Sequence, residues 1–278
     1  MQIHANAALG GRARSTPPPY VANDGTHAFY EGEPWRWLVT RSLTGEFSCL
    51  SVGQLTGFRL RYRGQLRRMP PRGLTKMVCF GRRRRVPVDR SFRDWATAEF
   101  GCDAFSAAAG LLGPALYEAD PGRLSAAFAF ERLLRLTTLS YPPATRYPQG
   151  GWGSVVTRMA NHARSLGVCI QTNSRITALP TTGPVIVATS LSAARNLLND
   201  NTLTWESGRA ALLDVGVQRR RNDPAAVFDL DEGGFCRTHT SQDPSLAPPR
   251  HSLVQGEIPL RDGESKDSGL QRLEESSI

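Results

Sequence analysis

Four short segments carry residue types that could do chemistry. Leu9-Gly10-Gly11-Arg12-Ala13-Arg14-Ser15 places two glycines ahead of an arginine. Glycine lets a backbone come close to a ligand, and arginine can fork onto a phosphate. A tight turn with a surface arginine has the same appearance. Asn23-Asp24-Gly25-Thr26-His27-Ala28 adds a glycine turn and a histidine, which reads either as a polar loop residue or as a group beside a ligand. Tyr147-Pro148-Gln149-Gly150-Gly151-Trp152-Gly153 is a glycine turn ahead of an amphipathic stretch. The fourth segment runs from Leu166-Gly167-Val168-Cys169-Ile170 through residues 174–179 to Val185-Ile186-Val187-Ala188-Thr189. None of these pairs a nucleophile with a base, so no residue stands out as a catalytic acid or base. The five cysteines, Cys49, Cys79, Cys102, Cys169 and Cys236, are odd in number and form no Cys-x-x-Cys pair. That argues against a disulfide framework and against a zinc site, and fits a reducing, cytoplasmic setting.

The elements that must hold these segments belong to an ordinary globular chain. It has 278 residues, 40% hydrophobic and 21% charged, enough for a real core in one to three domains. No window approaches the ~18 uninterrupted apolar residues of a spanning helix. The first residues, Met1-Gln-Ile-His-Ala-Asn, have no apolar run, so no secretory signal is expected. The net charge of +9 is carried almost wholly by arginine, since only Lys76 and Lys266 are lysine. That skew reads as GC-rich coding rather than a nucleic-acid footprint. The Arg82-Arg83-Arg84-Arg85 run reads first as a solvated helix end, and second as a peripheral contact with lipid headgroups.

Pattern and punctuation then divide the chain. A strand is expected at Tyr20-Val21-Ala22 and a helix from Glu33, with Pro34 in its first turn. Residues 57–69 alternate as a β-hairpin around Arg63-Gly64. Helices follow at 92–100 behind Ser91, at 104–112 with a break at Gly113-Pro114, and at 124–136. Tyr141-Pro142-Pro143 reads as a linker. Beyond it come a helix at 154–166, strands at 168–172 and 185–189, and a helix at 192–198, which is α/β grammar. The 185–189 run has the uniform apolar character of a strand covered on both faces. Short strands are expected at 211–217, 226–230 and 251–257, and a polar tail after Asp262.

The order of the four segments resembles the flavin-dependent amine oxidase superfamily, nearest its phytoene desaturase-like and protoporphyrinogen oxidase-like branch. The resemblance runs through nearly the whole chain and is strongest in the Gly-Gly-Arg and Gly-x-His order. It implies FAD as cofactor. Gly10 and Gly11 would allow close approach, and Arg12 would meet the diphosphate or ribityl region. Gly25, Thr26, His27 and Ala28 would line the flavin ring, and Ile176 would contact adenine through its backbone. The implied reaction is hydride removal from a C–H or C–N centre of a small, apolar substrate onto flavin.

Two departures shape the expected architecture. The family's opening strand and G-x-G-x-x-G turn are missing here, and His4 stands where an acidic ribose clamp belongs. The chain therefore reads as an interior piece, expected to hold FAD weakly or not at all. The expected fold class is α/β (α+β): a partial FAD-binding dinucleotide fold lacking its first βα unit, with a mixed helical and β-sheet substrate domain. Residues 1–40 and 141–200 would form the FAD-domain remnant. Residues 41–140 would form the substrate or cap domain, and 201–278 its sheet and the polar tail. The reading that competes is a non-catalytic fragment or binding module without FAD.

Overall fold

The computed structural model describes residues 2–25, 28–49, 51–137, 145–205 and 207–277. It is a mixed α/β structure organised around one six-stranded sheet. In spatial order its strands are Gln65–Arg67, Phe58–Tyr62, Ala226–Asp229, Gly234–Thr238, His251–Pro259 and Ala210–Gln218. All neighbours are antiparallel except Phe58–Tyr62 beside Ala226–Asp229. Arg63 and Gly64 turn the hairpin with φ of 53° and 70°, the left-handed pair that matches strand twist.

Helices cover one end of one sheet face. Arg72–Gly81, Phe92–Phe100, Cys102–Leu116 and Ala126–Thr137 share a core in which Met77, Phe92, Leu112 and Leu133 are fully buried. Leu60 and Phe228 of the sheet pack against that core. Ser91 caps its helix by accepting from the Asp94 amide, as its sequence position predicts. The expected break at Gly113-Pro114 does not occur, because the helix continues to Leu116. Proline there removes one amide close to the helix end, and the burial of Leu111, Leu112 and Pro114 outweighs that loss.

The opposite sheet face is covered by the helix Lys266–Ser277, where the sequence reads as a polar tail. Leu270 and Leu273, one turn apart, pack onto Ala211, Leu213 and Ile258. Two apolar residues among many charges were too sparse a stripe to reveal the helix.

A three-stranded antiparallel sheet joins Phe29–Tyr30, Thr145–Pro148 and Phe47–Cys49, with Thr145–Pro148 in the middle. Gln2–Ile3 pairs in parallel with Ile170–Gln171. Two expected strands, at 20–22 and 185–189, are absent. Residues 20–22 run as a connection, held by the Val21 amide on the Leu246 carbonyl. Residues 174–179 form no strand, and neither do 185–189, where Ile186 is 93% exposed. An apolar β-branched run becomes a strand only beside a neighbour that completes its hydrogen bonds, and the described residues offer it none. The Tyr141-Pro142-Pro143 linker lies outside the described residues. Among them, no helix is long and apolar enough to cross a membrane.

Candidate functional site

The first two predicted segments meet directly. The chain passes Gly25 over Arg12 so closely that a Cβ on Gly25 would stand 2.9 Å from the Arg12 carbonyl oxygen. Asp24 accepts an ion pair from Arg14 at 2.9 Å, and the Asp24 amide donates to the Arg14 carbonyl. Gly10 and Gly11 both adopt positive φ, and Gly11 faces open space. Arg12 is exposed. Ala28 leads into Phe29, whose ring lies 4.1 Å from that of Trp152 and 5.3 Å from that of Trp35. Thr26 and His27 lie outside the described residues. Ile176 sits at the surface beyond the Ile170–Gln171 strand. That strand lies beside His4, whose carbonyl accepts from the Ser174 amide.

The third segment docks on the same place. Helix Gly151–Ser165 begins with Gly150 and Gly151 at φ of 75° and 72°. Its first amides are taken by side chains. Trp152 donates to Asn23 Oδ1 at 3.1 Å, Gly153 to Ser15 Oγ at 2.9 Å, and Gly150 to Asp243 Oδ2 at 2.6 Å. Asn23 also accepts at its carbonyl from Gln255 of the large sheet. The helix start is thus a structural joint, with the Gly150, Trp152 and Gly153 N–H groups already used. Gly151→Ala is expected to cost about 2–3 kcal/mol, from backbone strain plus displacement of these partners. The new Cβ would lie 2.9 Å from Asn23 Oδ1 and 3.0 Å from Ser15 Oγ. Gly167, at φ 82° with open space around it, should show the strain alone when changed to alanine. Chemical denaturation of the two variants separates the contributions.

Sequence reasoning missed the polar face of the large sheet. Register places Arg237 opposite Gln255 and Phe235 opposite Glu257, so all four side chains share one face. Helices cover the Phe228 end of that face, while Gln255 meets the Asn23 segment. Between these ends stand Arg237 and Glu257, 9% and 8% exposed. The Arg237 guanidinium lies 4.5 Å from the Tyr147 ring centroid. Burial lifts the Glu257 carboxyl to about 8, so it is mostly protonated at neutral pH. Burial likewise raises the Tyr117 hydroxyl, with Glu257 adding to the effect and Arg12 opposing it. Tyr30 is also raised, by burial and then by Tyr147, against the pull of Arg237. The charges of Glu257 and Arg12 thus act on Tyr117, and those of Tyr147 and Arg237 on Tyr30, which pairs with Thr145 two residues from Tyr147 on the small sheet. Alternation along residues 234–238 and 251–259 was visible in the sequence, but a single Arg or Glu in a strand gives no sign of burial.

Of the expected cofactor contacts, those at the Gly11–Arg12 end have the room and the charge for an anionic group. Gly11 leaves room beside Arg12, which carries the positive charge. At the other end, His4 Nε2 is buried and has no hydrogen-bond partner. At the start of the Gly151–Ser165 helix the Gly150, Trp152 and Gly153 amides are already taken by side chains. Trp35 and Trp95 are buried in the core, Trp37 is 46% exposed, and Trp152 keeps a buried Nε1 without a partner.

No family model matches the chain, and neither does any curated protein. Solved structures do match. An oxidoreductase from Methanosarcina mazei superimposes with a TM-score of 0.72 at 13% identity, over 99% of this chain and 76% of that one. Reduced UDP-galactopyranose mutase gives 0.66 at 14% identity, over 99% and 73%. Rab GDI from Plasmodium falciparum gives 0.56 at 10%, over 99% and 80%. At these identities the likeness is one of fold, and it places the chain in the fold shared by these three proteins.

Proposed function

We propose that this chain is an FAD-dependent oxidoreductase homologue acting on a small, largely apolar substrate. The observation that carries the reading is the close meeting of Gly11, Arg12 and Gly25, with the sheet face of Glu257 and Arg237 and the helix-end residue Tyr117 as the polar groups of the same site. The motif order supports it, as does the fold shared with an oxidoreductase. Bound flavin would accept a hydride from a C–H or C–N bond. The chain's own residues would do the rest. Arg12 would balance phosphate or ribityl oxygen charge, and Gly11 and Gly25 would keep the approach open. Tyr30, Tyr117 and Tyr147 would exclude water and orient an apolar body. Glu257, protonated at neutral pH, would donate a hydrogen bond. In this reading residues 1–40 with 141–200 would be the FAD side, and 41–140 with 201–278 the substrate side.

Titrating the chain into FAD and following flavin fluorescence tests this. Saturable but weak quenching is expected, because side chains already take three of the amides around the Gly151 helix start. Arg12→Ala should weaken binding about 10- to 100-fold, the equivalent of one charged hydrogen bond of about 1.5–3 kcal/mol. Absence of any saturable quenching, or an Arg12→Ala affinity equal to the parent's, would remove the reading.

A further inference from the structure

A buried arginine is normally paired, because an isolated charge inside a protein costs several kcal/mol. Arg237 breaks that rule in an informative way. Its Nε and Nη2 are both shielded from solvent, and neither has a hydrogen-bond partner. Those two nitrogens form one edge of the guanidinium, the edge whose parallel N–H bonds match the two oxygens of a carboxylate. The Tyr147 ring stacks against the guanidinium and fixes its plane. The nearest carboxyl on the sheet does not serve as partner. Glu257 is one diagonal step away on the same face, and its Oε1 is also buried and unpartnered. Burial raises its pKa. Gln255, directly opposite Arg237, is engaged with Asn23 and Asp214.

We propose that Arg237 is the anchor of a binding site for a small monocarboxylate with an aromatic or planar apolar body. The carboxylate would take the free Nε/Nη2 edge, and the body would lie among Tyr30, Tyr117 and Tyr147. Charge balance selects a monoanion. The site holds one unpaired positive charge, and a dianion such as a phosphate would leave a net negative charge beside Glu257. Tyr30 feels the charge of Arg237, and the residue is 57% exposed, so the site would open to solvent on its side. The ligand class refines the substrate of the oxidoreductase reading, and placing the reaction rests on that reading. The anion site itself needs no flavin.

The test is therefore made without FAD. Benzoate, benzamide and phenyl phosphate are titrated separately against the full chain at pH 7, with thermal shift and calorimetry as readouts. Saturable stabilisation by benzoate is expected, with binding at least about tenfold weaker for benzamide and for phenyl phosphate. Arg237→Met should abolish the benzoate effect and raise the melting temperature of the ligand-free protein, because an unpaired buried charge is gone. A purely structural arginine would instead lower it. Arg237→Lys, which keeps the charge and loses the fork, should bind benzoate at least about tenfold more weakly than the parent. Equal binding of benzamide, tighter binding of phenyl phosphate, or a destabilised Arg237→Met would each overturn the proposal. Failure of the FAD titration with benzoate binding intact would overturn only the flavin reading.

Discussion

Glu257→Gln is expected to stabilise the protein by about 3 kcal/mol at pH 7, a rise in melting temperature of about 5–10 °C. The cause is the buried carboxyl on the polar sheet face. Burial raises its pKa from 4.5 to about 8. The unfolded chain gives up this proton near pH 4.5, whereas the folded chain keeps it until about pH 8. Between those values the unfolded state binds fewer protons, so stability falls as pH rises. The contribution is complete below pH 4.5, shrinks through the window and is lost above about pH 8. Asp214, raised to about 6 chiefly by burial, adds a loss of the same sign at lower pH. Glutamine has nearly the shape of the protonated acid and does not ionise. Denaturant midpoints measured from pH 5 to pH 9 should therefore decline less steeply above pH 6 in the variant. An unchanged slope between pH 6 and pH 8 would show that Glu257 is not the group responsible. A buried acid kept at this cost, beside an unpaired arginine, is what a binding face looks like when it is held ready for a ligand.

Gly110→Ala should act in the opposite direction and lower stability by about 2–4 kcal/mol. On an isolated helix the same change would favour folding by about 1 kcal/mol. Here the helix Cys102–Leu116 lies directly against the chain leaving the Ala226–Asp229 strand. A Cβ on Gly110 would stand 2.3 Å from the Leu230 carbonyl oxygen and 2.7 Å from its C and Cα. These are backbone atoms and cannot rotate aside, so the helix must move outward. That movement loosens the contacts of Ala107, Ala108, Leu111 and Leu112, all of them buried in the helical core. Steric cost exceeds propensity gain. Ser106→Ala, at an exposed position of the same helix, should instead be neutral or slightly stabilising. Urea denaturation of both variants decides it: if Gly110→Ala were as stable as the parent, the close packing of helix on sheet would be wrong.

Local sequence determined those elements whose information is local. Ser91 marks a helix start because a side-chain oxygen there can take an orphan amide, and the structure uses it so. Arg63-Gly64 marks a hairpin because only left-handed residues close it with the right twist. The apolar spacing of Phe92, Trp95 and Ala96 reveals a buried face, and all three are buried. The glycine segments also announce themselves, since Gly25 over Arg12 and Gly151 against Asn23 leave no room for a side chain. What each element does next is decided by its neighbours. The 185–189 run has the composition of a covered strand, yet strand formation needs a partner backbone and none lies beside it among the described residues. Lys266–Ser277 looks polar, yet Leu270 and Leu273 suffice once the sheet offers Ala211 and Ile258. Arg237 and Glu257 look like any polar residues alternating outward along a strand. Only the register of strands distant in sequence, with Tyr147 brought in by the smaller sheet, buries them side by side. Burial, and with it the charge state of Glu257 and the unpaired edge of Arg237, is a property of what surrounds a residue, and the surroundings exist only after the chain has folded.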